Sequence, residues 1–147
     1  MFFAVILLFI PAFIALWLGV IKLISMMGWQ KLSGGRLSPE FPPPTAEKFT
    51  MQSLRIGSGF SPANYNNCMN GWIDRNGLYL QPTFVFKLFH PLVYLRWNDI
   101  AKIVPETGLI MEHFRLELDA NRPQVTLYGR LGEAVSKRWQ NAQRGSY

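Results

Sequence analysis

Hydrophobic and polar positions along this chain follow three successive patterns. From Phe2 to Ile21 the apolar pattern is unbroken: 20 residues carry neither a charge nor a strongly polar side chain, and the run stops at Lys22. Twenty helical residues rise about 30 Å, the thickness of a bilayer's hydrocarbon core. The run therefore predicts a membrane-spanning helix, bent mid-span at Pro11. Apolar residues continue through Leu23, Ile24, Met26 and Met27 to Trp29. Lys22 is expected to snorkel toward the headgroups and Trp29 to sit in the interfacial aromatic belt, so residues 1–29 form the anchor. A cleaved leader needs a basic start, a core of about 7–15 apolar residues and a small-x-small cleavage site. Met1-Phe2-Phe3 carries no base, and no such triplet precedes Trp29.

From about Lys48 the period becomes two. In Trp72-Ile73-Asp74-Arg75-Asn76-Gly77-Leu78-Tyr79-Leu80, Asn76-Gly77 predicts a type I′ hairpin tip, where both central residues need positive φ. Arg75 then faces Leu78, Asp74 faces Tyr79 and Ile73 faces Leu80, with Ile73, Leu78 and Leu80 on the buried face. Leu92 to Trp97 puts Val93, Leu95 and Trp97 inward. Ile110 to Asp119 puts Phe114, Leu116 and Leu118 inward, with His113, Arg115, Glu117 and Asp119 outward. Asn121-Arg122-Pro123 turns the chain into Gln124 to Tyr128, with Val125 and Leu127 inward. Lys48 to Ile56 and Lys102 to Val104 complete the strands. Near the end the period lengthens: Leu131, Ala134, Val135, Trp139 and Ala142 make one helical stripe opposite Glu133, Ser136, Lys137, Gln140 and Asn141. The expected fold is an N-terminal transmembrane helix followed by a mainly-β barrel. Six or seven antiparallel strands form the barrel, and a C-terminal α-helix closes it. Residues 46–147 are expected to fold without the anchor.

Between span and strands, residues 30–47 read as a Gly/Pro-rich linker. Gly34-Gly35 loosens it and Pro42-Pro43-Pro44 stiffens it, so that it holds the domain just off the membrane. The domain proper is 48–143, and 144–147 is a tail. The 147 residues make one domain of ordinary size, yet only 16% are charged against about 25% in a typical soluble domain. Fifteen Lys and Arg against nine Asp and Glu give +6 without a run of five like charges, which argues against a disordered or nucleic-acid-coating chain. Lys22, Lys31 and Arg36 follow the span while no base precedes it. This asymmetry predicts a single-pass protein of the inner (cytoplasmic) membrane, with the C-terminal domain in the cytoplasm.

The strand order, Gly77-Leu78-Tyr79-Leu80, and His90-Pro91-Leu92-Val93-Tyr94-Leu95-Arg96-Trp97-Asn98-Asp99-Ile100 together resemble the bacterial PH-like (GRAM-like) domains. In those, a hairpin opening with a Gly-Leu-type strand precedes a strand ending in a Trp-x-x-Ile segment. The resemblance covers about residues 48 to 143 and implies a pleckstrin-homology-type barrel plugged at one end by its last helix. Arg96 stands where such relatives carry proline. PH-type folds bind phosphoinositides, peptides or proteins, and lipid-binding members cluster bases in and around the first hairpin loop. Here Gly57 to Asn67 contains no Lys or Arg and only Arg55 precedes it, which argues against inositol-phosphate recognition.

Catalytic groupings find little support. One cysteine, Cys68, excludes an internal disulfide and a CxxC site. Its Asn-rich surroundings lack the bases that activate a thiol, so an inert buried cysteine is expected. Glu112 and His113 are neighbours in a strand and point to opposite faces, so they cannot share a metal. Gly57-Ser58-Gly59 lacks the Gly-Lys-Ser/Thr of a phosphate loop. Asp74, Asp99 and Glu106 are expected beside turns, satisfying backbone donors, and His90 is expected to cap a loop. No catalytic residue, metal, cofactor, small-molecule substrate or nucleic acid is assigned. The segment Phe84-Val85-Phe86-Lys87-Leu88-Phe89-His90 is apolar on both faces, which points to a covered surface. Phe84, Phe86, Lys87, Phe89 and His90 are the candidate partner-binding residues. The expected role is a membrane-anchored, non-catalytic binding or scaffold module, an accessory subunit contacting another membrane protein. The alternatives are a sensor of anionic lipid through scattered bases and, behind it, a small enzyme.

Overall fold

A computed structural model describes residues 1–33, 41–57, 63–83, 87, 90–108, 111–118 and 122–145. Helix α1 (Phe2–Ile24) runs through Pro11 and passes into a π-helical turn, Ser25–Trp29, and a short helix, α2 (Gln30–Ser33). Seven strands follow: β1 (Glu47–Ile56), β2 (Ala63–Ile73), β3 (Gly77–Pro82), β4 (Val93–Arg96), β5 (Ile100–Thr107), β6 (Glu112–Leu118) and β7 (Val125–Tyr128). Helix α3 (Gly129–Arg144) comes last. The strands form one antiparallel sheet in the order β4-β3-β2-β1-β7-β6-β5. With β4 and β5 as its edges, the sheet curls into a half-barrel around one core.

Period two dictates most of this. Val93 and Leu95 of β4, Leu116 of β6, and Val125 and Leu127 of β7 are all fully buried, as the alternation requires. Strand β1 matches its predicted range to within one residue, whereas β5 runs well beyond its predicted Lys102–Val104, because this edge strand carries polar residues that blur the pattern. In β1 the inward parity switches from Phe49 to Leu54 and Ile56. The register with β2 slips across that stretch, and Met51 and Asn67 hold positive φ. Strand β2 starts at Ala63, so Asn64 to Asn67 belong to a strand and not to the predicted loop.

The β2–β3 hairpin differs from its prediction by two residues. Ile73 pairs with Leu78, Trp72 with Tyr79 and Gly71 with Leu80. Arg75-Asn76 is therefore the tip, with neither Asn76 nor Gly77 at positive φ. The Asp74 carboxylate accepts the Asn76 and Gly77 N–H groups at 2.8 and 2.9 Å, and this side-chain cap fixes the turn. Gly77 is needed for another reason: a Cβ there would run into the Leu95 carbonyl of β4. A two-residue slip preserves side-chain parity, so Ile73, Leu78 and Leu80 still face the core.

Helix α3 covers the half-barrel with Leu131 and Val135, and Ala134, Trp139 and Ala142 pack around them. Ser136, predicted outward, is buried on the same face. The Trp139 indole N–H donates to Ile100 O at 3.2 Å, and Gln52 Oε1 accepts the Leu131 N–H in the first turn. The Trp97-Asn98-Asp99 segment is a 3₁₀ turn that closes the corner between β4 and β5. Trp97 Nε1 donates to Arg75 O at 3.0 Å, and Asp99 accepts the Arg96 N–H at 3.0 Å. Asp74 and Asp99 thus serve turns as expected. Glu106 does not: it lies in β5 and pairs with Arg115 at 2.7 Å and with His113 at 3.0 Å.

Candidate functional site at the helix–sheet junction

The C-terminal end of the first helix packs into the domain. On one side of it Ile21, Ser25, Trp29 and Leu32 are all buried, at helical spacings of four, four and three residues. Gly28 lets that side approach β1: a Cβ there would come within 2.9 Å of Ile56 Cγ2. Trp29 is 0% exposed and donates its indole N–H to Pro91 O at 2.8 Å. This corrects the interfacial placement. The indole is a core side chain, inserted between β2 and the chain that enters β4, and Leu32 follows it into the same core.

Around Trp29 sits a small aromatic and polar cluster. Its ring lies 5.8 Å from that of Tyr65 and 5.4 Å from that of His90, and the Tyr65 hydroxyl and His90 Nε2 are 2.9 Å apart. Beside them a cavity of about 60 Å³ is lined by Ile21, Ile24, Asn64, Tyr65, Cys68 and His90. That is room for a few water molecules, not for an organic substrate. Burial, with the Cys68 thiol second, pushes the Tyr65 phenol well above its usual range. Burial likewise pushes the Cys68 thiol up, against two backbone hydrogen bonds that lower it. A raised thiol pKa means little thiolate at neutral pH, hence an unreactive sulfur. Cys68 is half-buried rather than buried.

Of the predicted binding residues, Lys87 and His90 are described. His90 is 2% exposed and hydrogen-bonded within the cluster, so it offers no surface to a partner, while its N–H donates to Lys87 O at 3.0 Å and closes the end of the loop as expected. Lys87 is exposed. Phe84, Phe86 and Phe89 lie outside the described residues, but the flanks of their segment are placed. Thr83 donates its N–H to Cys68 O at 2.7 Å, and His90 sits against Trp29. Both ends of the segment are thus fixed where α1 enters the sheet. Among the described residues, no group of three or more His, Cys, Asp or Glu side chains is placed to hold a metal.

Sequence reasoning missed a row across the outer face of the sheet. Lys48, Trp72, Tyr79 and Tyr94 are register partners on β1, β2, β3 and β4. Lys48 Nζ stands 5.5 Å from the Trp72 ring, and Tyr79 stacks on Tyr94 at 4.5 Å. Shifting the hairpin register by two hides this row, because Asp74 then replaces Trp72 opposite Tyr79. Tyr79 is only 4% exposed, while Trp72 and Tyr94 are half-buried and Lys48 is exposed.

No family model matches the chain, and no curated protein matches it. Among solved structures, the half-barrel is similar to the "Vps36 N-terminal PH domain" at a TM-score of 0.51 and 12% identity. That likeness covers 71% of this chain and 86% of that one. The fold is PH-like. The C-terminal domain of an unknown protein from Leishmania infantum matches at a TM-score of 0.43 and 11% identity, over 65% of this chain and 85% of its own. The PH-type expectation drawn from residues 48 to 143 is borne out as architecture: a curled seven-stranded antiparallel sheet with its C-terminal helix. Ahead of it stands one helix long and apolar enough to cross a membrane.

Proposed function

We propose that this chain is a membrane-anchored, non-catalytic binding module that holds a PH-like half-barrel against the bilayer, as an accessory part of a membrane protein complex. One observation carries the reading. Helix α1 leaves its large apolar side chains bare from Phe2 to Leu16, while its C-terminal continuation supplies Trp29 and Leu32 to the domain core. A bare apolar helix of this length needs lipid or protein around it. A helix joined to the core without slack transmits the domain's position to whatever surrounds it. A binding module fits this geometry, and the cavity beside the cluster holds only a few waters.

The contact segment is Phe84, Phe86, Lys87 and Phe89, tethered at Thr83 and His90 beside the anchor. An aromatic side chain buries about 150–250 Å² when covered, and confinement to one membrane raises the effective concentration of a membrane-embedded partner. The test is purification of the intact protein in mild detergent, with crosslinking, beside a Phe86→Asp, Phe89→Asp variant of unchanged melting temperature. The parent should carry a membrane protein that the variant loses. Retention of every partner by the variant overturns the assignment of the segment, and a parent that purifies alone after crosslinking overturns the module reading.

A further inference from the structure

We infer that the anchor end of the half-barrel is immersed in the lipid headgroup layer, so that the bilayer interface is itself a docking partner of the domain. The inference rests on the reading of α1 as a membrane span and adds a depth to it. Two sides of the same helical turns carry it. On one side Ile21 is 2% exposed and, with Ile24, lines the cavity shared with Asn64, Tyr65, Cys68 and His90, which places these domain residues level with the helix at 21–24. On the other side, at the same level, Leu23 is 59% and Met26 52% exposed.

Counting 20 residues back from Lys22 fills the roughly 30 Å hydrocarbon core, and Met26 lies only about 8 Å further along the axis than Ile21. That distance is close to the thickness of one headgroup layer, in which exposed Leu and Met side chains are accommodated. Domain residues level with Leu23 and Met26 share their depth. Strand β2 then limits how far its far end can stand from the anchor. It begins beside the anchor at Ala63 and Asn64, and its ten residue steps to Ile73 carry the Asp74–Gly77 turn up to about 33 Å away. A rigid junction makes this depth a property of the fold. Trp29 and Leu32, buried in the core, and the close approach of Gly28 to Ile56 join helix to sheet.

The test uses the full-length chain carrying Cys68→Ser, with single cysteines at Phe9, Asn64 or Asn76 bearing a small fluorophore. The proteins are placed in phosphatidylcholine vesicles containing lipids with a nitroxide on the headgroup or on the acyl chain. Acyl-chain nitroxide should quench the Phe9 label. Headgroup nitroxide should quench the Asn64 label at least about threefold more than the Asn76 label, given their separation along β2. If Asn64 and Asn76 are quenched alike while Phe9 is quenched by the acyl-chain probe, immersion is wrong and the span stands. If Phe9 escapes quenching, the span itself is wrong, and immersion falls with it. Asn66→Cys, also exposed on β2, supplies the same reading should Asn64→Cys fail to fold.

Discussion

Trp29 is the residue on which helix and sheet meet. Its sequence context, a Trp just past an apolar run, is that of an interfacial anchor. Its environment, 0% exposed with a 2.8 Å bond to Pro91 O, is that of a core side chain. Trp29→Ala should therefore cost about 3–5 kcal/mol, as for other buried aromatics. Trp29→Phe keeps most of the packing but strips the Pro91 carbonyl of its donor, and should cost about 1–2 kcal/mol. Urea unfolding in mild detergent separates these two from an interfacial Trp, whose loss leaves the domain's midpoint unchanged. Tyr65, against the same indole, gives a pH dependence. Its phenol is held above the ordinary value of 10.0, by burial first and by Cys68 second. Above pH 10 the unfolded chain releases this proton while the folded chain keeps it, so the folded state binds more protons and stability falls as pH rises. The stabilisation is complete below pH 10. Unfolding midpoints measured from pH 8 to 11 should decline, and Tyr65→Phe should flatten that decline while lowering the midpoint at pH 8 through loss of the His90 contact.

At the scale of elements, the unit formed by the π-helical turn and α2 is part of the domain. Trp29 and Leu32 are both fully buried in the half-barrel core. The expectation that residues 46–147 form a closed core alone is thus corrected: that core is completed from outside the range. Burial of two large apolar side chains contributes about 3–6 kcal/mol. A chain of residues 25–147 should unfold at clearly higher urea than one of residues 46–147, and the shorter chain should bind hydrophobic dyes at neutral pH. Equal midpoints would show that the helix merely rests on the sheet. Strand patterns were legible wherever one face is core and the other solvent, as in β4, β6 and β7. They failed at the hairpin tip, where Asn76-Gly77 carries the usual positive-φ signature. Asp74 capping and the close approach of Leu95 O to Gly77 select a different turn there.

For the whole molecule, the buried joint at Trp29 and Leu32 ties the apolar helix to the half-barrel. If α1 spans a bilayer, as proposed, the domain is held beside it. If Lys22, Lys31 and Arg36 orient the chain, a reporter fused after Tyr147 should work as a cytoplasmic fluorescent protein and be silent as a periplasmic phosphatase. The reverse result would place the half-barrel on the other side of the membrane.

The sequence by itself determined the elements whose information is periodic. These are a charge-free run long enough for a bilayer, alternating strands whose inward residues are the observed core, and a helical stripe from Leu131 to Ala142. Such patterns survive a register slip of two, which is why Ile73, Leu78 and Leu80 were placed correctly beside a misread turn. Only the tertiary structure decided contacts between residues far apart in the chain. The hydrogen bond from Trp29 to Pro91 spans 62 residues, and the meeting of Tyr65 with His90 spans 25. The Lys48–Trp72–Tyr79–Tyr94 row depends on three registers at once. Nothing local distinguishes a tryptophan bound for lipid from one bound for a core, because both are amphipathic rings at the end of an apolar helix. The distinction is made by a sheet that leaves a hole of the right shape at the point where that helix ends.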